Sequence, residues 1–216
     1  MSENATFPGE KIASIEQYEA GHNTFDDGDM VRAATIGQKD IDKTTRIASI
    51  KHPKMLSIPK DGDTIIGDDV LIMTGVHVAH DCKVGNNVIL VNLVALGGHV
   101  EVDDWAILGG ASTVHQFCKI GRHVMLAANS KIVQDVPPFI LAGKYPVKYT
   151  GINSLGLKRR NFSNKQRMTI KKAYRYYFRS DLNTSVSLKK IKDEFKKDKN
   201  IKEIVSFIEN SQRGII

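Results

Sequence analysis

Cysteine is scarce in this chain. Two cysteines in 216 residues cannot build a disulfide framework. Long apolar runs are also missing: no stretch approaches the roughly 20 residues a helix needs to span a bilayer. The N-terminus, MSENATFPGEK, lacks the apolar core of a signal peptide, so a cytoplasmic protein is expected. Aromatics are only 7% of the residues, and near the N-terminus they are not interleaved with Lys and Arg as a nucleic-acid stacking surface requires. Acidic residues are sparse at the C-terminal end. Residues 158–216 hold 17 Lys/Arg against 6 Asp/Glu, a charge of +11, while the remainder carries −4. A basic segment suits an acidic protein, a phosphate or nucleic acid, and equally a solvated helical surface.

What is present is a period of six. From Ile66 every sixth residue is branched and aliphatic: Ile66, Ile72, Val78, Val84, Leu90, Leu96 and on to Ile132, twelve hexads without a slip. Four positions after each comes a small or slender residue, from Val70 to Val136, with Cys82, Ala106, Ser112, Cys118 and Ser130 among them. A helix repeats every 3.6 residues and a strand every two, so neither yields a strict six. A solenoid does, with one hexad per face and three faces per turn. Twelve hexads predict about four turns of a triangular β-helix. Cys82 and Cys118 then fall two turns apart in one interior slot, at about 10 Å, beyond disulfide reach. Both are expected as buried free thiols. Glycines after the aliphatic slot, and pairs such as Asn86-Asn87 and Asp103-Asp104, suit the corners between faces. The coil is expected to end at Pro137-Pro138, which cannot donate to a further ladder.

The flanks do not share this period. Residues 1–64 alternate short apolar pieces with turn signals, and segments such as MVRAATIG and TRIASIKH read as strands of a small all-β domain. The coil occupies 65–138. An irregular exit follows and then helices, in a segment of 139–216. Ser163 is placed to cap a helix with Met168, Ile170, Ala173, Tyr174 and Tyr177 on its apolar face. Ser187 is read as opening a second helix. A third runs near 201–209 with the stripe Ile201, Ile204, Val205 and Ile208.

Chemistry concentrates on the coil. Five of the seven histidines, His77, His80, His99, His115 and His123, lie within 47 residues. Folded at 18 residues per turn, His80, His99 and His115 occupy neighbouring columns along one edge. Asp81 adjoins His80, and a carboxylate can orient an imidazole for general-base work. A metal site from His77, His80 and Cys82 is disfavoured, because Cys82 points inward while His80 points outward, and zinc ligands must converge. The coil serines sit in or beside the interior slot, which leaves no serine nucleophile.

Two resemblances overlie this reading. FPGEKIASIEQYEAG, NTFDDGDMVRAATIG and LSIPKDGDTIIG resemble the N-terminal domain of the archaeal exosome cap subunit that carries an S1 domain. No S1 barrel follows, so nucleic-acid binding is not carried over. VHVAHDCKVGNN, LGGHVEVDDW, STVHQFCKIG and GINSLGLKRRNFS closely resemble the UDP-N-acetylglucosamine O-acyltransferases that begin lipid A synthesis. That resemblance implies a left-handed β-helix and a homotrimer with sites between subunits. It implies transfer of a 3-hydroxyacyl chain from acyl carrier protein to the 3-hydroxyl of UDP-N-acetylglucosamine, with no cofactor and no metal. It makes His80 the general base, with Asp81 beside it. His77, His99, His115 and Gln116 line the substrate site, Asn153, Arg159 and Arg160 contact the nucleotide phosphates, and Ala128 floors the acyl groove. The family's coil begins many turns earlier, and those turns supply further site residues; the two resemblances meet near Ile66. A trimeric scaffold impaired in catalysis, and an exosome-associated subunit, therefore stand beside the acyltransferase as readings.

Overall fold

The computed structural model describes residues 46–47 and 64–216. The expected all-β domain of 1–64 otherwise lies outside the described residues. Strands are numbered along the chain. Strand β1 (Arg46–Ile47), within the segment TRIASIKH, pairs antiparallel with β2 (Thr64–Ile66), with Arg46 opposite Ile65.

From β2 onward each hexad contributes a strand two or three residues long, and each strand pairs in parallel with the one 18 residues later. One face stacks β2, β5 (Lys83–Val84), β8 (Glu101–Val102) and β11 (Lys119–Ile120). The next stacks β3 (Leu71–Ile72), β6 (Ile89–Leu90), β9 (Ile107–Leu108) and β12 (Met125–Leu126). The third stacks β4 (His77–Val78), β7 (Ala95–Leu96), β10 (Thr113–Val114) and β13 (Lys131–Ile132). This is a parallel β-helix of about four turns. Its interior is the two predicted stacks: nearly all of the aliphatic series and all of the slender series are buried. Cys82 and Cys118 are buried free thiols within it, and burial pushes the Cys82 thiol up to about 11.

The corners use the Asn and Asp pairs as expected, with Asp69 and Asn87 left-handed, but not the recurring glycines. Every sixth residue from Asp69 to Asn129 has a left-handed backbone, with φ between 55° and 75°, and only Gly75 in this series is glycine. Asp81, His99, Trp105, Phe117 and His123 are all corner residues, held in a conformation that costs roughly 1–2 kcal/mol per non-glycine residue. The recurring glycines are required by stacking instead. A Cβ on Gly109 would lie 2.5 Å from the backbone nitrogen of Ala128, one turn on. The Asn and Asp pairs act partly as ladders. Asn86 Oδ1 accepts from the Asp68 amide at 2.8 Å, and Asp104 Oδ1 accepts from the Asn86 amide at 2.7 Å.

The prolines do not end the sheet. β14 (Ile140–Gly143) adds one more parallel strand beside β12, with Met125 opposite Leu141, so the spacing shortens from 18 to 16. Strand β15 (Lys148–Ile152) then turns back antiparallel. The expected irregular exit is thus a hairpin, followed by a short helix α1 (Ser154–Arg159).

Helix α2 (Asn164–Phe178) is capped by Ser163 in a reciprocal capping box with Gln166. It buries Ile170, Ala173 and Tyr174, but Met168 is 53% exposed and does not join that face. The Tyr174 hydroxyl donates to Pro138 O at 2.6 Å and docks the helix on the end of the coil. Helix α3 (Thr184–Glu194) starts earlier than expected, at an Asn183 cap. Ser187 is instead buried, its hydroxyl donating to Tyr176 O. Helix α4 (Lys199–Glu209), capped by Asp198, buries the expected isoleucine and valine stripe. Its Glu203 pairs with Arg122 of the coil through two hydrogen bonds, at 3.0 and 2.6 Å.

Candidate active site

The corner between the third face and the first carries Asp81, His99 and Phe117 one above another. Strand β4 leads into it through Ala79 and His80. The corner backbone turns Asp81 toward its neighbour, and His80 Nδ1 lies 2.6 Å from Asp81 Oδ2. Asp81 is the sheltered partner, its side chain only 8% exposed against 36% for His80. One turn on, His99 Nε2 is 3.7 Å from the same Asp81 oxygen, its side chain 21% exposed. The two imidazoles meet edge to face at 5.2 Å, and His99 stacks on Phe117 at 4.6 Å. An ionised carboxylate only accepts, so His80 Nδ1 carries the proton in this contact and Nε2 keeps a lone pair. That is the arrangement of an oriented general base.

Gly98 makes room for it. A Cβ there would fall 2.7 Å from both Cε1 and Nε2 of His80. Counting by 18 places Gly98 in the column of His80, with the doublet Gly97-Gly98 just before His99, but residue type alone assigns it no role. Phe117 shares the column of Asp81 and His99 by the same count of 18, and its residue type alone assigns it no role there.

His80, Asp81 and His99 are also the three residues whose ligand atoms converge, all within 4.8 Å, among the described residues. Cys82 is not among them: it is fully buried, and its thiol donates to Gly97 O at 3.1 Å. Ser112 and Ser130 are buried as well, both hydroxyls donating to Ala127 O.

The remaining expected site residues are distributed around the prism. His77 lies on the same face as His80, in β4, and His115 and Gln116 follow β10 on the exposed surface above it. Arg160 lies elsewhere, its guanidinium 4.7 Å over the Trp105 ring, at the corner between the first and second faces. Burial and the Arg159 charge hold its pKa down. Arg159 ends helix α1 on the exposed side. Asn153 is 4% exposed, and its side chain is used internally. Its Oδ1 accepts from the Gly156 amide, and its Nδ2 donates to His123 O at 3.0 Å. Ala128, exposed, precedes Asn129 at the corner between the second and third faces. One chain therefore brings His80, Asp81 and His99 together, with the arginines and Ala128 at its other two corners.

The fold and this edge define a hexapeptide-repeat β-helix protein with a hydrogen-bonded His–Asp pair at one corner. Comparisons with known proteins narrow the class. Residues 135–216 match the family described as "Udp N-acetylglucosamine O-acyltransferase; Domain 2", and 63–98 match "Bacterial transferase hexapeptide (six repeats)". Residues 6–42 match the exosome complex exonuclease RRP4 N-terminal region. The acyl-[acyl-carrier-protein]–UDP-N-acetylglucosamine O-acyltransferase of Herminiimonas arsenicoxydans is 45% identical over 157 residues, 71% of this chain and 60% of that protein. The enzyme of the same name from Burkholderia mallei strain SAVP1 is 43% identical over 168 residues, 74% of this chain and 63% of that protein. Among solved structures, the UDP-N-acetylglucosamine O-acyltransferase of Moraxella catarrhalis RH4 superposes with a TM-score of 0.70 at 36% identity, covering 74% of this chain and 62% of that one. The chain thus spans about 60% of the length of the curated relatives it matches. The likeness identifies the coil as the left-handed β-helix expected.

Proposed function

We propose that the chain transfers a 3-hydroxyacyl group from acyl carrier protein to the 3-hydroxyl of UDP-N-acetylglucosamine, as a cytoplasmic enzyme. The observation that carries this is the 2.6 Å His80–Asp81 contact within the segment shared with the acyltransferases. Asp81 holds Nδ1–H, so Nε2 of His80 takes the proton from the sugar hydroxyl as its oxygen attacks the thioester carbonyl. The proton then leaves on the departing thiol, which balances the step. His77, His99, His115 and Gln116 contact the sugar and acyl groups. Arg159 and Arg160 contact the phosphates, for which a guanidinium is well shaped. Asn153 acts through helix α1, whose first turn it caps.

A homotrimer follows from the same distribution. Three corners of one chain carry separate parts of the expected site, and a threefold assembly would bring a corner of one copy to a different corner of the next. It would also cover exposed apolar residues on the coil flanks, among them Leu93, Phe117 and Val133. In sequence, the segment matching the exosome region ends at residue 42 and the hexapeptide match begins at 63, so the exosome-like segment precedes the coil.

The test is acyl transfer to UDP-N-acetylglucosamine from acyl carrier protein. Activity well above that of His80→Ala supports the proposal; activity no greater than that variant removes it. The partial coverage of the relatives favours one alternative, a trimeric scaffold impaired in catalysis. Binding of UDP-N-acetylglucosamine without turnover would establish that reading instead.

A further inference from the structure

The last residues of the chain return to the coil at the edge that bears the histidines. Asp135 is the anchor. Its amide donates to Gly214 O at 2.8 Å, and its carbonyl accepts from the Ile216 amide at 3.2 Å. One carboxylate oxygen accepts from Ser211 Oγ at 2.6 Å, and the other accepts from the Lys119 amide at 2.7 Å. Gln134 Nε2 donates to Ile215 O at 3.3 Å. The tail is therefore pinned on both sides of Arg213, and the side chain of that residue has little freedom.

Arg213 Nη2 lies 3.1 Å from His115 Nδ1 and 3.3 Å from Val133 O. Its Nε is buried without a hydrogen-bond partner, and its guanidinium also faces the Cys118 thiol, whose pKa it lowers against the effect of burial. His115 Nδ1 has a second neighbour, the Gln116 carbonyl oxygen, also at 3.1 Å. The two neighbours make opposite demands. The carbonyl would take a proton from Nδ1, whereas a guanidinium has only donors and needs a lone pair there. A charge-assisted hydrogen bond is the stronger of the two.

We propose that Arg213 is a positioning residue that selects the tautomer of His115 with its proton on Nε2. His115 then presents an N–H donor from its exposed side, suited to a carbonyl or phosphate oxygen of the substrate. This rests on the proposed placement of His115 at the substrate site. The C-terminal tail thereby becomes part of the site without touching substrate.

Nitrogen-correlated proton spectra of the imidazoles test it, with His115 assigned by the signals lost in His115→Gln. The spectrum needs neither substrate nor turnover, so it is decided separately from the acyltransferase reading. The wild-type protein is expected to show His115 as the Nε2–H tautomer. Arg213→Met is expected to move His115 toward Nδ1–H, donating to the Gln116 carbonyl, while the His80 and His99 signals stay in place as a control for the fold. Arg213→Lys, which keeps a donor, should restore part of the wild-type pattern. In the assay, Arg213→Met should raise KM for UDP-N-acetylglucosamine by about five- to tenfold, the worth of one hydrogen bond, with kcat changed less. A wild-type His115 carrying its proton on Nδ1 would overturn the proposal, as would an Arg213→Met spectrum identical to wild type.

Discussion

His80 depends on two neighbours, Asp81 which holds its Nδ1 and Gly98 which leaves its ring room. Gly98 is buried, and a methyl group there would intrude to 2.7 Å on the ring, its three nearest neighbours all being atoms of the His80 side chain. Gly98→Ala is therefore expected to lower kcat by at least about tenfold with a melting temperature within a few degrees of wild type, since misplacement of a base costs rate more than stability. Ala128 sits where the acyl groove is proposed to end, and Ala128→Gly should lengthen the preferred acyl chain in a competition among acyl carrier proteins. His123 is a different kind of residue. It is buried between Trp105, Phe139 and Phe162, and desolvation, then the charges of Arg122 and Arg160, lower its pKa to about 3. Above pH 6.5 both folded and unfolded chains hold it neutral. Below that the unfolded chain takes up a proton that the folded chain refuses until about 3, so stability is full at neutral pH and falls across this window. The loss is at most about 5 kcal/mol. His123→Phe keeps the ring stack, and the corner accepts Phe, as Phe117 shows. Urea melts of this variant should be flatter than wild type between pH 6.5 and 3.

At the scale of elements, the coil and its C-terminal helices meet through a few specified contacts. Tyr174 is fully buried, and its hydroxyl satisfies the carbonyl of Pro138. Tyr174→Phe leaves that buried oxygen unpaired and should destabilise the chain by about 1–3 kcal/mol, read as a lower urea midpoint with unchanged slope. The helices themselves follow local rules. Ser163, Asn183 and Asp198 each accept from backbone amides of the first turn. Ser187 was a plausible cap by residue type, but the chain already turns at Asn183, and a buried hydroxyl took its place inside the helix.

For the whole molecule, the decisive property is assembly. Three copies of 24.0 kDa give 72 kDa, and sedimentation equilibrium should find that mass. A monomer of 24.0 kDa would leave the three partial sites of each chain apart and remove the proposed mechanism. The basic C-terminal segment, at +11, should steer an acidic carrier protein. The KM for acyl carrier protein is then expected to rise several-fold from low to about 0.3 M salt, because ions screen exposed charges beyond a few ångströms. A salt-independent KM would make that segment a solvated surface only.

The sequence by itself determined the coil, because a strict period of six has one repetitive solution and every interior position repeats it. It also determined the columns, so that His80, Asp81 and His99 could be placed on one edge by counting eighteens, with Phe117 above them. The register of parallel strands is 18 from β2 to β13, which is why the count works there. The tertiary structure alone decided the rest. It put the strain of the corners on side-chain-bearing residues rather than glycines, because the glycines are needed where successive turns touch. It buried Asn153 behind helix α1, and it carried the sheet past Pro137 and Pro138 by shortening the register by two residues. It also laid Arg213 beside His115, 98 residues apart in the chain. No periodicity records that contact, since the tail reaches the coil only after the hairpin and four helices have turned the chain back.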